Sequence, residues 1–187
     1  MVRTFIAIDI KSPNVLVKIE NVMSYINSLN VLMKLVEIEN LHLTLRFLGE
    51  VEPFIIQEIV KHVINNIDFK CFSVELKGIG AFPSINRPRV IWIGLIDDND
   101  YLKSIKEEID SRLIRIGISI KKEEFIPHLT IARLKSNPSN NLKEFIKNYS
   151  NFEFGTIKVD SIKLKKSTLT KQGPIYEDIA TVQCKPI

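Results

Sequence analysis

Two of the three histidines in this chain, His42 and His128, each begin the motif His-Leu-Thr. On a β-strand, side chains two residues apart lie on the same face. Each histidine then shares a face with its threonine, Thr44 or Thr130, while the leucine between them points to the opposite side, into a core. If both motifs lie on strands, each presents one imidazole and one hydroxyl together.

Paired imidazoles suit a particular kind of chemistry. Histidine exchanges a proton near neutral pH, so a pair can supply a neutral base and a protonated acid at once. This serves in-line displacement at a phosphodiester, where one histidine takes a proton from the nucleophile and the other protonates the leaving oxygen. Threonine hydroxyls can bond the non-bridging oxygens, whose charge grows in the transition state. The hypothesis requires no metal or cofactor, and two histidines without an acidic or thiol neighbour do not form a closed zinc site.

The two motifs lie within a longer internal repeat. Residues 3–10 resemble residues 89–96, and His42 and His128 are separated by the same 86 positions. A looser match sets residues 72–76 near residues 157–162. We interpret the chain as one domain, residues 1–187, with repeats of roughly 1–86 and 87–187. An approximate two-fold axis between them would let both motifs converge on one cleft.

Each repeat is predicted to run strand, helix, strand, helix, strand. The first helix begins after Ser12, a candidate N-cap, with Pro13 at its first position. Apolar residues at helical spacing predict further helices near 52–67 and 97–113 and after Asn140. Strands are expected near residues 3–10, 36, 41–48, 72–79, 89–96, 127–134, 156–165 and 175–183. The pattern is typical of an α+β fold with antiparallel sheets covered by helices.

Composition narrows the class of protein. Of 187 residues, 45% are apolar and 26% charged, as in a soluble globular domain. We find neither a signal-peptide pattern nor a membrane-length apolar stretch, and we expect a cytoplasmic protein without a membrane partner. Two cysteines, Cys71 and Cys184, exclude a disulfide scaffold and are expected to be packing residues. His62, on the polar face of a predicted helix, is expected at the surface.

The net charge says less about the partners of this protein than its motifs do. The formal net charge of +4 favours acidic partners only slightly. The strongest local excess of positive charge has two interpretations, a solvated strand face or a rim that faces phosphates. It consists of Lys158, Lys163, Lys165, Lys166 and Lys171.

Taken in order, the motifs resemble the two-histidine (2H) phosphoesterase superfamily, and within it the RNA 2′,3′-cyclic phosphodiesterases once called 2′-5′ RNA ligases. Each matching segment is short, but the ordered set spans nearly the whole chain. The segments are residues 3–8, 42–50, 80–83, 89–94, 127–133, 164–169 and 173–176.

The resemblance implies a bilobal fold of two curved antiparallel sheets backed by helices, with both motifs in a central cleft. It implies hydrolysis of 2′,3′-cyclic phosphate ends of RNA to 2′-phosphates, without a cofactor. By resemblance His128 is the proton acceptor that activates water, and His42 is the proton donor to the departing 3′ oxygen. Thr44 and Thr130 would hold the phosphate.

Further substrate-binding residues follow from the resemblance. Arg133 matches a family arginine beside the phosphate, but it lies five residues after His128, so an ideal strand would point it away from the cleft. A bulge or the strand end must turn it inward. Phe47 holds the matching place after His42 and is equally a candidate for core packing or for stacking a base. Further aromatic candidates for stacking a nucleobase are Tyr176, Phe82 and Trp92.

Two other functions stay open. Run in reverse, the same site would join a cyclic phosphate to a 5′-hydroxyl and act as a 2′-5′ ligase, although abundant water favours hydrolysis. A module could also bind RNA ends or small nucleotides without turnover, but binding alone does not require two proton carriers. The expected partner is RNA with a 2′,3′-cyclic phosphate terminus, tRNA fragments being one candidate, and we expect a monomer.

Overall fold

The structure, a computed structural model, describes residues 1–121 and 123–185. Within these ranges the chain forms nine strands and four α-helices, and it ends in three consecutive strands. The strands are β1 Val2–Asp9, β2 Met33–Leu35, β3 His42–Val51, β4 Phe72–Phe82, β5 Val90–Ile96, β6 His128–Leu134, β7 Glu153–Val159, β8 Ser161–Leu169 and β9 Pro174–Gln183. The helices are α1 Pro13–Asn27, α2 Pro53–His62, α3 Tyr101–Arg115 and α4 Asn140–Asn148.

The strands form one curled antiparallel sheet in the order β7-β4-β5-β6-β3-β1-β8-β9, and the short β2 pairs with β6. At its centre β3 and β6 share a single residue pair, Leu43 with Leu129. The predicted α+β fold of curved antiparallel strands backed by helices is confirmed. The two predicted sheets are two halves of one sheet, because this central pair connects them.

Each half of the sheet takes strands from both repeats. Outward from the centre, one half runs β3, β1, β8, β9 and the other runs β6, β5, β4, β7. Strand β4, from residues 1–86, pairs with β5, whereas β8, from residues 87–187, pairs with β1. The halves of the sheet therefore do not coincide with residues 1–86 and 87–187, and neither segment can complete its half alone.

Several predicted elements have different bounds, and two of the differences have a clear cause. The strand expected over 156–165 is two strands, β7 and β8, which are separated at Asp160. The helix expected over 52–67 ends at His62 and is followed by the 3₁₀ turn Ile64–Asn66. Apolar spacing continues through this turn because Val63 and Ile64 are both fully buried. Hydrophobic periodicity alone therefore does not show where the helix ends.

The leucine of each His-Leu-Thr motif points into the core, as the strand pattern predicts. Leu43 and Leu129 are at most 1% exposed and lie in the hydrophobic core. Helix α1 begins at Pro13 after Ser12, as predicted, although the Ser12 side chain makes no capping hydrogen bond. Its apolar stripe is buried at Val15, Ile19, Val22, Met23 and Ile26. Because Leu43 and Leu129 point into the core, His42 and His128 lie on the opposite face of their strands.

Cys71 and Cys184 are joined in a disulfide, with Cα atoms 5.0 Å apart, so their assignment as packing residues is wrong. Next to the disulfide the backbone N–H of Lys185 donates to the carbonyl of Phe69 at 2.8 Å. The disulfide fixes the chain after β9 to the start of β4, across 113 residues of sequence.

The structure also bears on the predictions for His62 and for membrane-spanning helices. His62 is exposed and lies 3.3 Å from Glu58 on the same helix, as expected for a surface residue. In the part of the chain that the structure describes, every helix is too short or too polar to cross a bilayer.

Candidate active site

The structure brings both His-x-Thr motifs into one cleft, of about 160 Å³. Strands β3 and β6 supply the motifs, and β2 and β9 with the adjoining loops supply the walls. The lining residues are Lys34, Leu35, Val36, Glu37, His42, Thr44, His128, Thr130, Arg133, Pro174 and Tyr176. Two separated stretches of sequence thus place two imidazoles, two hydroxyls and a guanidinium around one small volume.

Both imidazoles are held in the same way. The Nδ1 atom of His42 lies 2.6 Å from the carbonyl oxygen of Asn40, and Nδ1 of His128 lies 2.7 Å from that of Ile126. A carbonyl oxygen only accepts hydrogen bonds, so each Nδ1 carries a proton. In the neutral ring Nε2 is therefore unprotonated and free to act as a base, and in the imidazolium it is an acid.

A β-bulge explains how Arg133 reaches the cleft. The pairing of β6 with β5 shifts beside Ile131, so Ile131 and Ala132 are both fully buried instead of alternating. The extra residue reverses the alternation, and Arg133 returns to the face that carries Thr130. The bulge that strand parity required for Arg133 is present.

A matching bulge in β3 gives Phe47 the place that Arg133 has in β6. The β1–β3 pairing shifts beside Leu45, 86 positions before Ile131. Phe47 is nonetheless absent from the cleft lining, is 51% exposed, and has the guanidinium carbon of Arg3 4.7 Å from its ring centroid. Phe47 is therefore not a core residue, and the structure places it outside the cleft.

Aromatic rings position His42. Phe5 lies 4.8 Å from the imidazole, and Tyr176 meets it edge-on at 5.3 Å, both between ring centroids. Tyr176 also lines the cleft, whereas Phe5 is only 3% exposed. Burial raises the pKa of Tyr176, which keeps its hydroxyl protonated. Phe5 was not predicted as a site residue, because residues 5–8 form a continuous apolar run that does not show which of them face the cleft.

The surroundings of His128 are also aromatic. Phe82 meets its ring edge-on at 4.9 Å, and Trp92 lies at 6.2 Å. The indole of Trp92 packs against Gly80, where an added Cβ would lie 2.3 Å from it. Neither Phe82 nor Trp92 is among the lining residues, so in this structure both rings support His128 from the side.

A set of charges lies next to His42. Asp9 on β1 lies opposite His42 on β3 in the strand pairing. Its carboxylate oxygens lie 2.8 Å from Nζ of Lys163 and 3.0 Å from Nζ of Lys165. Both lysines also pair with Asp178 on β9. These two lysines are therefore neither a solvated face nor a free phosphate rim, and the two carboxylates that bind them were not predicted from the sequence.

The pKa values of both histidines are lowered, chiefly by burial. The hydrogen bond from each Nδ1–H to its carbonyl acts in the opposite direction, and the positive charge of Arg133 lowers both values further. Asp9 raises the pKa of His42, and no carboxylate acts in this way on His128. Within the described residues the two imidazoles therefore differ in charge environment although they share one geometry.

One wall of the cleft was not predicted from the sequence. Lys34 lies opposite Arg133 in the β2–β6 pairing, and its Nζ donates to the carbonyl of Gln172 at 3.1 Å. Asn40 donates to Glu37 and to the carbonyl of Pro174. These bonds connect the loop before β3 to the hairpin between β8 and β9 and close that side of the cleft. The short β2 carries no motif that marks it as part of a site.

No group of three or more His, Cys, Asp or Glu side chains placed to hold a metal ion occurs in residues 1–121 and 123–185.

Residues 4–184 match the model of the AKAP7 2′5′ RNA ligase-like domain. A protein of Aeropyrum pernix named RNA 2′,3′-cyclic phosphodiesterase is 43% identical over 81% of this chain and 86% of its own length. One of the same name from Methanocaldococcus jannaschii is 42% identical over 95% and 98%.

Among solved structures, a Thermus thermophilus protein has a TM-score of 0.82 at 22% identity, covering 97% of each chain. E. coli LigT with bound 3′-AMP has a TM-score of 0.72 at 22% identity, covering 98% of each. These two likenesses support the fold, and the closer relatives together with the family model establish the family. The chain belongs to the 2′-5′ RNA ligase-like family of 2H phosphoesterases.

Proposed function

We propose that this protein hydrolyses 2′,3′-cyclic phosphate ends of RNA to 2′-phosphates without a metal ion. The observation that carries the proposal is the pair of histidines in one cleft, each with Nδ1 bound to a carbonyl and Nε2 available for proton transfer. The names of the relatives from Aeropyrum pernix and Methanocaldococcus jannaschii support RNA 2′,3′-cyclic phosphodiesterase activity.

In the proposed reaction the non-bridging phosphate oxygens accept hydrogen bonds from Thr44, Thr130 and Arg133, which offset the charge that develops in the transition state. Water attacks phosphorus in line with the bond to the 3′ oxygen. As the new P–O bond forms, Nε2 of His128 takes a proton from the water. As the P–O3′ bond breaks, Nε2 of His42 gives its proton to the 3′ oxygen.

The product is then a 2′-phosphate monoester with a free 3′-hydroxyl. His42 is left neutral and His128 protonated, and exchange with solvent restores both. Burial lowers the pKa of His128, which favours the neutral base at neutral pH. The negative charge of the bound phosphodiester favours the imidazolium form of the acid. Acid, base and charge stabilisation all come from side chains, which is the reason for proposing a reaction without metal.

We further propose that the substrate is an RNA end, with tRNA fragments as one candidate source, and that a monomer acts on it in the cytoplasm. The monomer is supported by the cleft, because one chain supplies both histidines, both threonines and the arginine.

The test is turnover of an oligonucleotide with a 2′,3′-cyclic phosphate end in the presence of EDTA. We expect hydrolysis at an undiminished rate. Binding without turnover would instead indicate a binding module, and a joined product after addition of RNA with a 5′-hydroxyl would indicate a ligase. Loss of hydrolysis in EDTA with recovery on addition of zinc or magnesium would contradict the proposed mechanism.

A further inference from the structure

The two histidines have identical hydrogen bonds but different partners on the neighbouring strand. Residues directly opposite each other in an antiparallel pair have their side chains on the same face of the sheet. The residue opposite His42 is Asp9, and the residue opposite His128 is Gly94. One histidine therefore has a carboxylate beside it, and the other has no side chain at the same position.

Asp9 is held in place as a charged group. Its carboxylate contacts Lys163 and Lys165, whose side chains are only 14% and 9% exposed. Burial opposes ionisation of Asp9 and is the largest single effect, but the hydrogen bonds and positive charges of the two lysines together outweigh it and keep the pKa of Asp9 below the usual value. Asp178 pairs with the same two lysines from the far side. Asp9 is thus a fixed negative charge rather than a mobile surface carboxylate.

Other charged or titratable groups face the His42 side of the cleft from each neighbouring element. Lys165 on β8 and Arg133 on β6 disfavour the imidazolium, and Asp9 outweighs Lys165 in its effect on the pKa of His42. The remaining groups of this kind are Lys163 on β8, Tyr176 and Asp178 on β9, His128 on β6, Lys34 on β2 and Glu37 in the adjoining loop.

We propose that Asp9 is a positioning residue that selects His42, rather than His128, as the general acid. Its fixed carboxylate favours a protonated imidazole at His42, and the glycine opposite His128 leaves that ring without an equivalent charge. The inference rests on the proposed function for its kinetic consequence. The electrostatic coupling between Asp9 and His42 does not depend on activity.

The pH dependence distinguishes the two possible assignments. If His42 is the acid, the reactive form has His42 protonated and His128 neutral. At a pH above both pKa values, the fraction of protein in this reactive form depends only on the pKa of His42. At a pH below both values, it depends only on the pKa of His128. Lowering the pKa of His42 then reduces kcat/KM at pH values above that pKa and leaves the acid limb unchanged, whichever ring has the higher pKa.

The experiment compares Asp9→Asn with Asp178→Asn, because each removes one carboxylate from the same two lysines but only Asp9 lies opposite His42. NMR titration of the imidazole signals follows both active-site histidines in one sample. We expect the pKa of His42 to fall in Asp9→Asn and that of His128 to stay. A nearby charge is worth about one pKa unit, so kcat/KM on the alkaline side should fall about tenfold. Asp178→Asn should have a smaller effect, and Asp9→Glu should recover the alkaline activity.

A second variant of opposite sign covers the case in which Asp9→Asn does not fold. Lys165→Gln removes a positive neighbour, and the pKa of His42 should rise. The proposal is overturned if the His42 pKa moves no more in Asp9→Asn than in Asp178→Asn. It is also overturned if kcat/KM changes on the acid side instead, since His42 would then be the base. An inactive wild-type protein would refute the proposed function, while the titration would still decide whether Asp9 controls His42.

Discussion

The two sides of the cleft share a backbone design but have different chemistry around the imidazole. On both sides a carbonyl two residues earlier, of Asn40 or Ile126, fixes the tautomer. Around His42 lie ion pairs that include Asp9. Aromatic rings lie beside both imidazoles, but no carboxylate lies opposite His128 in the strand pairing, where the residue is Gly94.

This difference shows where an internal repeat stops determining function. The repeated motif fixes the direction and tautomer of each histidine because both depend on local backbone. The residues that determine which ring holds a proton come from neighbouring strands, which have diverged. A nearly symmetric pair of motifs can therefore support a reaction in which one histidine is always the acid and the other always the base.

The largest effect should come from removing either histidine. His42→Ala and His128→Ala should each lower kcat by about 10²- to 10⁴-fold, the usual contribution of a general acid or base. His62→Ala is the matched control, because His62 lies at the surface beside Glu58. Steady-state kinetics with melting curves checks this. A folded His42 or His128 variant with near-complete activity would exclude the paired mechanism.

Gly80→Ala tests the aromatic packing beside His128. The new Cβ would lie 2.3 Å from the Trp92 indole, which must move and displace the ring packing that supports His128. Such overpacking costs about 1–3 kcal/mol of stability, and we expect activity to fall with it.

Gly117→Ala is the control for that change. The added Cβ has no atom within 4 Å, although φ is +85°, so backbone strain lowers stability away from the cleft. Its melting temperature should fall while kcat stays constant. If Gly80→Ala lost stability but kept full activity, packing by Trp92 would not be needed to position His128.

The pH profile sharpens the comparison further. Burial lowers the pKa of both histidines in the free protein, so the bell-shaped pH profile of kcat/KM should be centred at or below the ordinary range of histidine pKa values. Its alkaline limb reports loss of the proton from the acid. Bound phosphate favours the imidazolium, so the alkaline limb of kcat should lie at higher pH than that of kcat/KM. Rates measured from pH 4 to 9 test this, and a flat profile across that range would argue against two titrating histidines.

The smallest effect is expected outside the cleft. Phe47→Leu should change kcat/KM by less than about threefold, because the Phe47 ring contacts Arg3 and does not line the cleft. Tyr176→Leu removes a ring that does line it, and KM should rise about tenfold if a base stacks there. Equal losses in the two variants would show that substrate extends over Phe47 as well.

Much of this site could be predicted from the sequence because its determinants are local or repeated. The equal spacing of the two motifs indicated a shared cleft, and the odd position of Arg133 required the bulge found beside Ile131. The effect of Asp9 could not be predicted, because it depends on the pairing register of β1 with β3. Pairing of Cys71 with Cys184 was missed for a similar reason, since 113 residues separate them.

The most direct test of the central claim is the position of phosphate in the product. With a histidine on each side of the cleft and fixed roles, the acid reaches one ester oxygen and the base aligns water against the same bond. Phosphorus NMR after digestion of an oligonucleotide with a 2′,3′-cyclic phosphate end should show the 2′-phosphate alone. A 3′-phosphate would contradict the assigned roles of His42 and His128, and a mixture of isomers would contradict a single orientation of the ring in the cleft.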